Sequence, residues 1–91
     1  MFQNNRYLTR GVGEKIPLEL QLLMWNALSA IPEPKDYFQV FRLSVLNGIH
    51  EQEQLPYKRE YLLPTIETPI TAKVYIIDDG DHSTMLLAEE Y

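Results

Sequence analysis

Six prolines, at positions 17, 32, 34, 56, 64 and 69, decide where this chain can be regular and where it cannot. Proline has no backbone N–H and a fixed φ, so it is tolerated in the first turn of a helix, in turns and at sheet edges. Pro17 suits the opening of a helix, and Pro32 with Pro34 must end it, which predicts a helix over residues 17–31. Ile16 is pushed into an extended conformation by the proline after it and stands outside. Because Ile16 is a poor cap, the first-turn N–H groups need another partner.

The stretch between those prolines has a clear helical period. Leu20, Leu23, Met24, Ala27, Leu28 and Ile31 follow the i, i+3, i+4, i+7 spacing of one buried face. A second apolar set, Leu18, Leu22 and Trp25, lies on nearly the opposite side at about 100° per residue. Glu19 is the only charge in the helix interior. Two occupants satisfy the second face. One is a protein partner, since tryptophan is enriched at interface hot spots. The other is the chain itself, through its N-terminal segment or the 55–69 connection.

Around this helix the chain reads as strands. Tyr7 to Val12 predicts a short first strand ended by Gly11 and Gly13. Tyr37 to Leu46 is rich in aromatic and branched residues and predicts a second. Its apolar phase slips between Phe38, Val40 and Phe41, Leu43, Val45, which calls for a bulge or burial on both faces. Asn47 and Gly48 can both take positive φ and predict a hairpin turn, with the partner strand beginning at Ile49. The polar run His50 to Gln54 suits an edge strand or loop, and Pro56 argues against a central one. Pro64 and Pro69 bracket a linker. Ile70 to Ile77 and Thr84 to Glu89 form a last hairpin across Asp78 to Ser83. The expected fold is a single α+β domain over residues 1–91. One helix packs on a curved antiparallel sheet in the order β-α-β-β-β-β, the last four strands a meander.

Apolar residues make up 45% of the chain and charged residues 23%, which suits a folded domain rather than a disordered segment. There is no cysteine, so disulfides and thiolate zinc sites are excluded. No apolar run approaches the ~18 residues of a membrane span, and no leader pattern is present, so the expected location is the cytosol. The net charge of −5 is uneven. Residues 1–77 balance eight acids against eight bases, and Asp78, Asp79, Asp81, Glu89 and Glu90 supply the whole excess. A nucleic-acid surface needs a basic stripe, and Lys58 with Arg59 is the one adjacent basic pair. Nucleic acid and membrane are therefore not expected partners.

The segments Arg6 to Gly11, Ile16 to Leu22 with Trp25, Asp36 to Phe41, Ile49 to Glu53 and Val74 to Tyr91 together resemble a family of short Gram-positive (Firmicute) proteins described as staphylococcal protein of unknown function. The stretch Asp78 to Tyr91 is the most specific of these. The resemblance spans nearly the whole chain and implies a cytosolic bacterial protein with a cystatin-like roll. It implies no activity, so no catalytic residue carries over.

The remaining candidate chemistry is sparse. Asp78, Asp79 and Asp81 with His82 place three carboxylates within four residues, the beginning of an oxygen shell for a hard cation. The spacing fails as an EF-hand, because the residues leading to Glu89 are strand, and a hairpin turn explains the same residues. His82 beside Ser83 makes no hydrolase pair, because adjacent strand residues point to opposite faces and no nucleophile elbow precedes either residue. His50, beside Glu51 and Glu53, is expected to be exposed and to titrate near neutral pH. Gly11 and Gly13 do not continue into a phosphate-binding motif. No catalytic residue, cofactor or metal site is expected. The function expected from these residues is a non-enzymatic protein-interaction module acting through Leu18, Leu22 and Trp25, with a homodimer as its simplest form. The alternative is a small-ligand binder or small enzyme that uses a pocket between helix and sheet, with His50, Asp79 or His82 as its polar groups.

Overall fold

The structure, a computed structural model, describes residues 1–63 and 70–91. The apolar period of residues 20–31 produces the helix it predicts. Helix α2 spans Leu18–Ala27 and tightens into a 3₁₀ turn over Leu28–Ala30. Leu20, Met24, Ala27, Leu28 and Ile31 are buried, with Leu23 partly so. Pro17 provides no side-chain cap. Its carbonyl accepts the N–H groups of Leu20 and Gln21 at 3.0 and 3.1 Å. The Gln21 side chain turns back to donate to the Ile16 carbonyl at 2.8 Å.

Ahead of it the expected strand is shorter and a second helix takes its place. Strand β1 spans Asn5–Leu8 and helix α1 spans Arg10–Lys15. The Thr9 hydroxyl caps α1 by accepting the Val12 N–H at 3.3 Å, and Val12 is driven fully into the core. Gly11 serves close packing rather than a strand end. A Cβ there would stand 2.6 Å from the Glu90 carboxylate, which lies across the start of α1.

The sheet departs most from expectation. The remaining strands are β2 (Phe38–Leu43), β3 (Asn47–Gln52), β4 (Lys58–Leu62), β5 (Ala72–Asp78) and β6 (His82–Leu87). A 3₁₀ turn over Ala88–Glu90 follows β6. They form one six-stranded sheet in the order β1-β6-β5-β2-β3-β4. The sheet is mixed, because β1 runs parallel to β6 with Asn5 opposite His82 and Leu8 opposite Met85. The predicted single helix on an all-antiparallel, cystatin-like roll in the order β-α-β-β-β-β is therefore wrong. The last strands are not a simple meander either, since β5 pairs with β2 and leaves β4 at the edge. What survives is the α+β class, helices against one sheet.

Strand β4 falls inside the expected 55–69 linker. Its burial is slight, as befits an edge strand guarded by Lys58, Arg59 and Glu60. It displaces the polar run at His50 from the edge: β3 pairs with β2 on one side and β4 on the other. Pro56 thus sits just ahead of the edge strand. Pro64 and Pro69 lie outside the described residues. The hairpin joining β2 to β3 is real but closes earlier, where Ser44 N–H donates to the Asn47 carbonyl at 2.8 Å. Asn47 and Gly48 already belong to β3, and neither has positive φ. The apolar phase slip in β2 is burial on both faces, not a bulge. Its pairing with β5 runs unbroken from Phe38 opposite Ile77 to Leu43 opposite Ala72.

Both helices lie on one face of the sheet. There Phe41, Leu43, Val74, Ile76, Met85 and Leu87 pack with Leu20, Met24 and Leu28. Phe2 joins this core in a left-handed conformation with φ 65°, which costs about 1–2 kcal/mol. Asp78 holds it there, as described below.

Candidate functional site

The acidic turn is built from the inside of the hairpin outwards. Asp78, the last residue of β5, points to the helix side and is buried. Its carboxylate accepts the Phe2 N–H at 2.8 Å, the Asn4 amide at 2.9 Å and the Gly80 N–H at 2.8 Å. Burial pushes this carboxyl up, but those donors and the N-terminal charge outweigh it and hold it below the usual carboxylate range. Asp79 faces the other side of the sheet. It accepts the N–H groups of His82 and Asp81, each at 3.0 Å, and pairs with the His82 ring at 3.2 Å. The N–H of His82 is the main reason its carboxyl also sits low. Asp81 is exposed and its side chain joins neither. The three carboxylates therefore diverge, two of them already satisfied by local donors. His82 belongs to β6 and meets Tyr7 edge-on at 5.1 Å. Ser83 points the other way and donates to Asn4 at 2.6 Å.

His50 is the clearest correction among the candidate residues. It is not exposed but 0% accessible, at the centre of a polar network inside the sheet. Gln39 donates to the Asp36 carbonyl at 2.7 Å and to the Gln52 side chain at 2.9 Å. Its amide oxygen therefore faces His50 Nε2 at 2.7 Å. That assigns the proton to Nε2 and leaves Nδ1 as a bare lone pair, for which the described residues offer no donor. The ring stacks on Phe41 at 4.2 Å and meets Tyr57 edge-on at 5.1 Å. Burial lowers its pKa to about 4. His50 on the helix side of β3 and Asp79 with His82 on the opposite side of the sheet are not brought together.

The second helix stripe divides. Leu18 and Leu22 are 63% and 52% exposed, whereas Trp25 is 8% exposed and lies in the core. The Arg6 guanidinium of β1 covers its ring at 4.9 Å from the centroid, so the N-terminal segment supplies the cover for Trp25. A groove beside Leu22 runs between α2 and β4, past Asn26, Arg59 and Tyr61. The Tyr61 hydroxyl is buried with no partner among the described residues, and burial raises its pKa.

A surface that sequence reasoning missed is the sheet face opposite the helices. The register aligns Val40, Tyr75 and Leu86 across three strands, and Phe38, Ile77 and Thr84 beside them. Strand alternation aims all six away from the helix-side core. Phe38 packs edge-on against Tyr75 at 4.8 Å, and Tyr91 covers both at 5.3 and 5.6 Å. Tyr91 is 74% exposed. Its position is set by Glu90, whose carboxylate accepts the Thr9 hydroxyl at 2.6 Å and the Leu87 N–H at 2.8 Å. Those bonds, the hydroxyl first, also lower the Glu90 pKa. Charge rims this apolar centre. At one end Lys73 sits 5.5 Å from the Tyr75 ring, and Arg42 pairs with Glu51 at 3.5 Å. Asp79 marks the other end. A signal was present in the runs Val74 to Ile77 and Met85 to Leu87, which are apolar in both strand phases.

Residues 5–90 match a family model described as staphylococcal protein of unknown function. No curated protein matches the chain. Among solved structures, the crystal structure of the protein of unknown function from Enterococcus faecalis is similar at a TM-score of 0.82 and 24% identity. The match covers 97% of this chain and 91% of that one, a likeness of fold.

Proposed function

The chain belongs to the family of staphylococcal proteins of unknown function, and from that premise we propose that it is a non-enzymatic protein-interaction module that docks through its open sheet face. The observation that carries this reading is the apolar centre formed by Phe38, Val40, Tyr75, Ile77, Leu86 and Tyr91 on the sheet face opposite the described helices, where Phe38 and Val40 are buried, Tyr75, Ile77 and Leu86 half-buried and Tyr91 exposed. A partly exposed apolar centre rimmed by charge is the usual mark of a contact surface on a soluble domain. The polar residues that a catalytic site would need lie apart and are already engaged: Asp78 and Asp79 in turn and terminus contacts, His50 in the Gln39 network. The acidic excess favours a protein partner over nucleic acid. The cytosol is the proposed setting, and no helix among the described residues is long and apolar enough to cross a membrane.

Affinity capture from the native cell with wild type and variants tests this. Ile77→Asp and Leu86→Asp, each checked for folding by circular dichroism, should lose the captured species. Leu18→Asp/Leu22→Asp should keep it. Retention by both open-face variants overturns the proposal, and loss only in the helix variant moves the surface to α2. A second reading, a small-ligand site in the groove between α2 and β4, is favoured by the unpartnered Tyr61 hydroxyl. Fragment binding that shifts Tyr61 and Asn26 amide signals would support it.

A further inference from the structure

We infer that the occupant of the open sheet face is a second copy of this chain, whose β5 crosses the first antiparallel to it. The inference rests on the interaction reading above and names its partner. The pattern that carries it lies along one central strand. The residues β5 turns towards the open face are Lys73, Tyr75 and Ile77, and Asp79 continues the row, its N–H donating to the His82 carbonyl at 3.1 Å. Read in either direction the row is a charge, two apolar residues and the opposite charge. It complements its own reverse.

That property selects a geometry. Sheets that pack face to face keep their strands nearly aligned, with about 30° between them. A two-fold axis perpendicular to the strands, over the interval between Tyr75 and Ile77, reverses each row against its copy. Lys73 then meets Asp79 of the second copy, Tyr75 together with the Tyr91 ring beside it meets its Ile77, and symmetry makes each contact twice. An axis along the strands would instead set Lys73 against Lys73 and Asp79 against Asp79. Charge pairing fixes register and excludes wrong docking more than it adds affinity. The flanking strands agree, since Leu86 of β6 and Val40 of β2 extend the same apolar centre on either side of Tyr75. Leu63 and Ile70, which flank β4 and β5, pack on the helix-side core and not on this face. Six strands about 4.8 Å apart and about 20 Å long give a small footprint, the size class of weak and transient contacts.

The test uses sedimentation velocity and light scattering on the full chain across the micromolar range. Wild type should pass from monomer to dimer. Lys73→Glu and Asp79→Lys should each raise the dissociation constant at least about tenfold, because each places like charges at both symmetric contacts. Mixed in equal amounts, the two variants should recover a dimer of near wild-type strength. In that heterodimer Glu at 73 faces Lys at 79, and the native Lys73 faces the native Asp79. Circular dichroism checks that each variant is folded. If Asp79→Lys loses its turn, Asp79→Asn keeps the acceptor for the Asp81 and His82 N–H groups and should still weaken the dimer. A wild-type monomer throughout the range, or two monomeric variants that do not restore each other, overturns the inference. If capture from the cell still depends on Ile77 and Leu86 in that event, the open-face reading stands and only the self-partner falls.

Discussion

Acid should destabilise this protein well before its carboxylates protonate, and His50 should be the cause. In the folded chain the ring is fully buried, neutral, and bonded through Nε2 to Gln39 at 2.7 Å, with its pKa lowered to about 4. In the unfolded chain it returns to about 6.5. The unfolded state therefore binds a proton that the folded state refuses. Stability is complete above pH 6.5 and is lost as pH falls from there towards 4. At 1.36 kcal/mol per pKa unit the loss approaches about 3 kcal/mol at pH 4, with a slope near one proton per chain around pH 5. Asp78, Asp79 and Glu90 have lowered pKa values, so their contribution is present above the ordinary carboxylate range and fades only below it. Among the groups whose pKa values are shifted, the window from pH 6.5 to 4.5 thus belongs to His50. Urea titrations at pH 7.0, 6.0, 5.0 and 4.5, followed by Trp25 fluorescence and circular dichroism, measure it. His50→Leu removes the titrating group and leaves Gln39 short of a partner. It should be less stable at pH 7 but nearly flat over the window. A flat wild-type profile, or an unchanged slope in His50→Leu, would refute the argument.

Three further outcomes rest on burial and hydrogen bonding. Trp25→Asp should remove cooperative unfolding or cost more than about 3 kcal/mol, because the ring is a core group under Arg6. Leu22→Asp, at an exposed position, should stay within about 0.5 kcal/mol; equal effects in denaturant titrations would mean the helix is rotated from its described setting. Asp78→Ala should cost about 2 kcal/mol and release Phe2, since three donors lose their acceptor. Faster amide exchange at Phe2 and along β1 is the measurement, and unchanged protection there would show that Phe2 packing alone holds the strand.

Side-chain period and proline position were enough to specify helix α2, its buried stripe and the hairpin of β5 and β6, because local geometry alone dictates those features. The α+β class follows from them. The order of strands does not. β1 is four residues long, exposed, and paired in parallel with a strand more than seventy residues away, and no local pattern encodes such a partner. β4 hides among charged residues because an edge strand has only one neighbour to satisfy. His50 reads as a surface residue in a polar run, yet in the fold it is central. Its neighbours on β2 and β4 bury it, and Gln39 meets the one hydrogen bond it must make. Tertiary structure likewise split the second helix stripe, covering Trp25 with Arg6 and leaving Leu18 and Leu22 outside. It also gathered Phe38, Tyr75, Leu86 and Tyr91 onto one open face. A sequence states which residues must be buried. Which strand stands beside which decides where, because lateral pairing is set by contacts between segments distant in the chain.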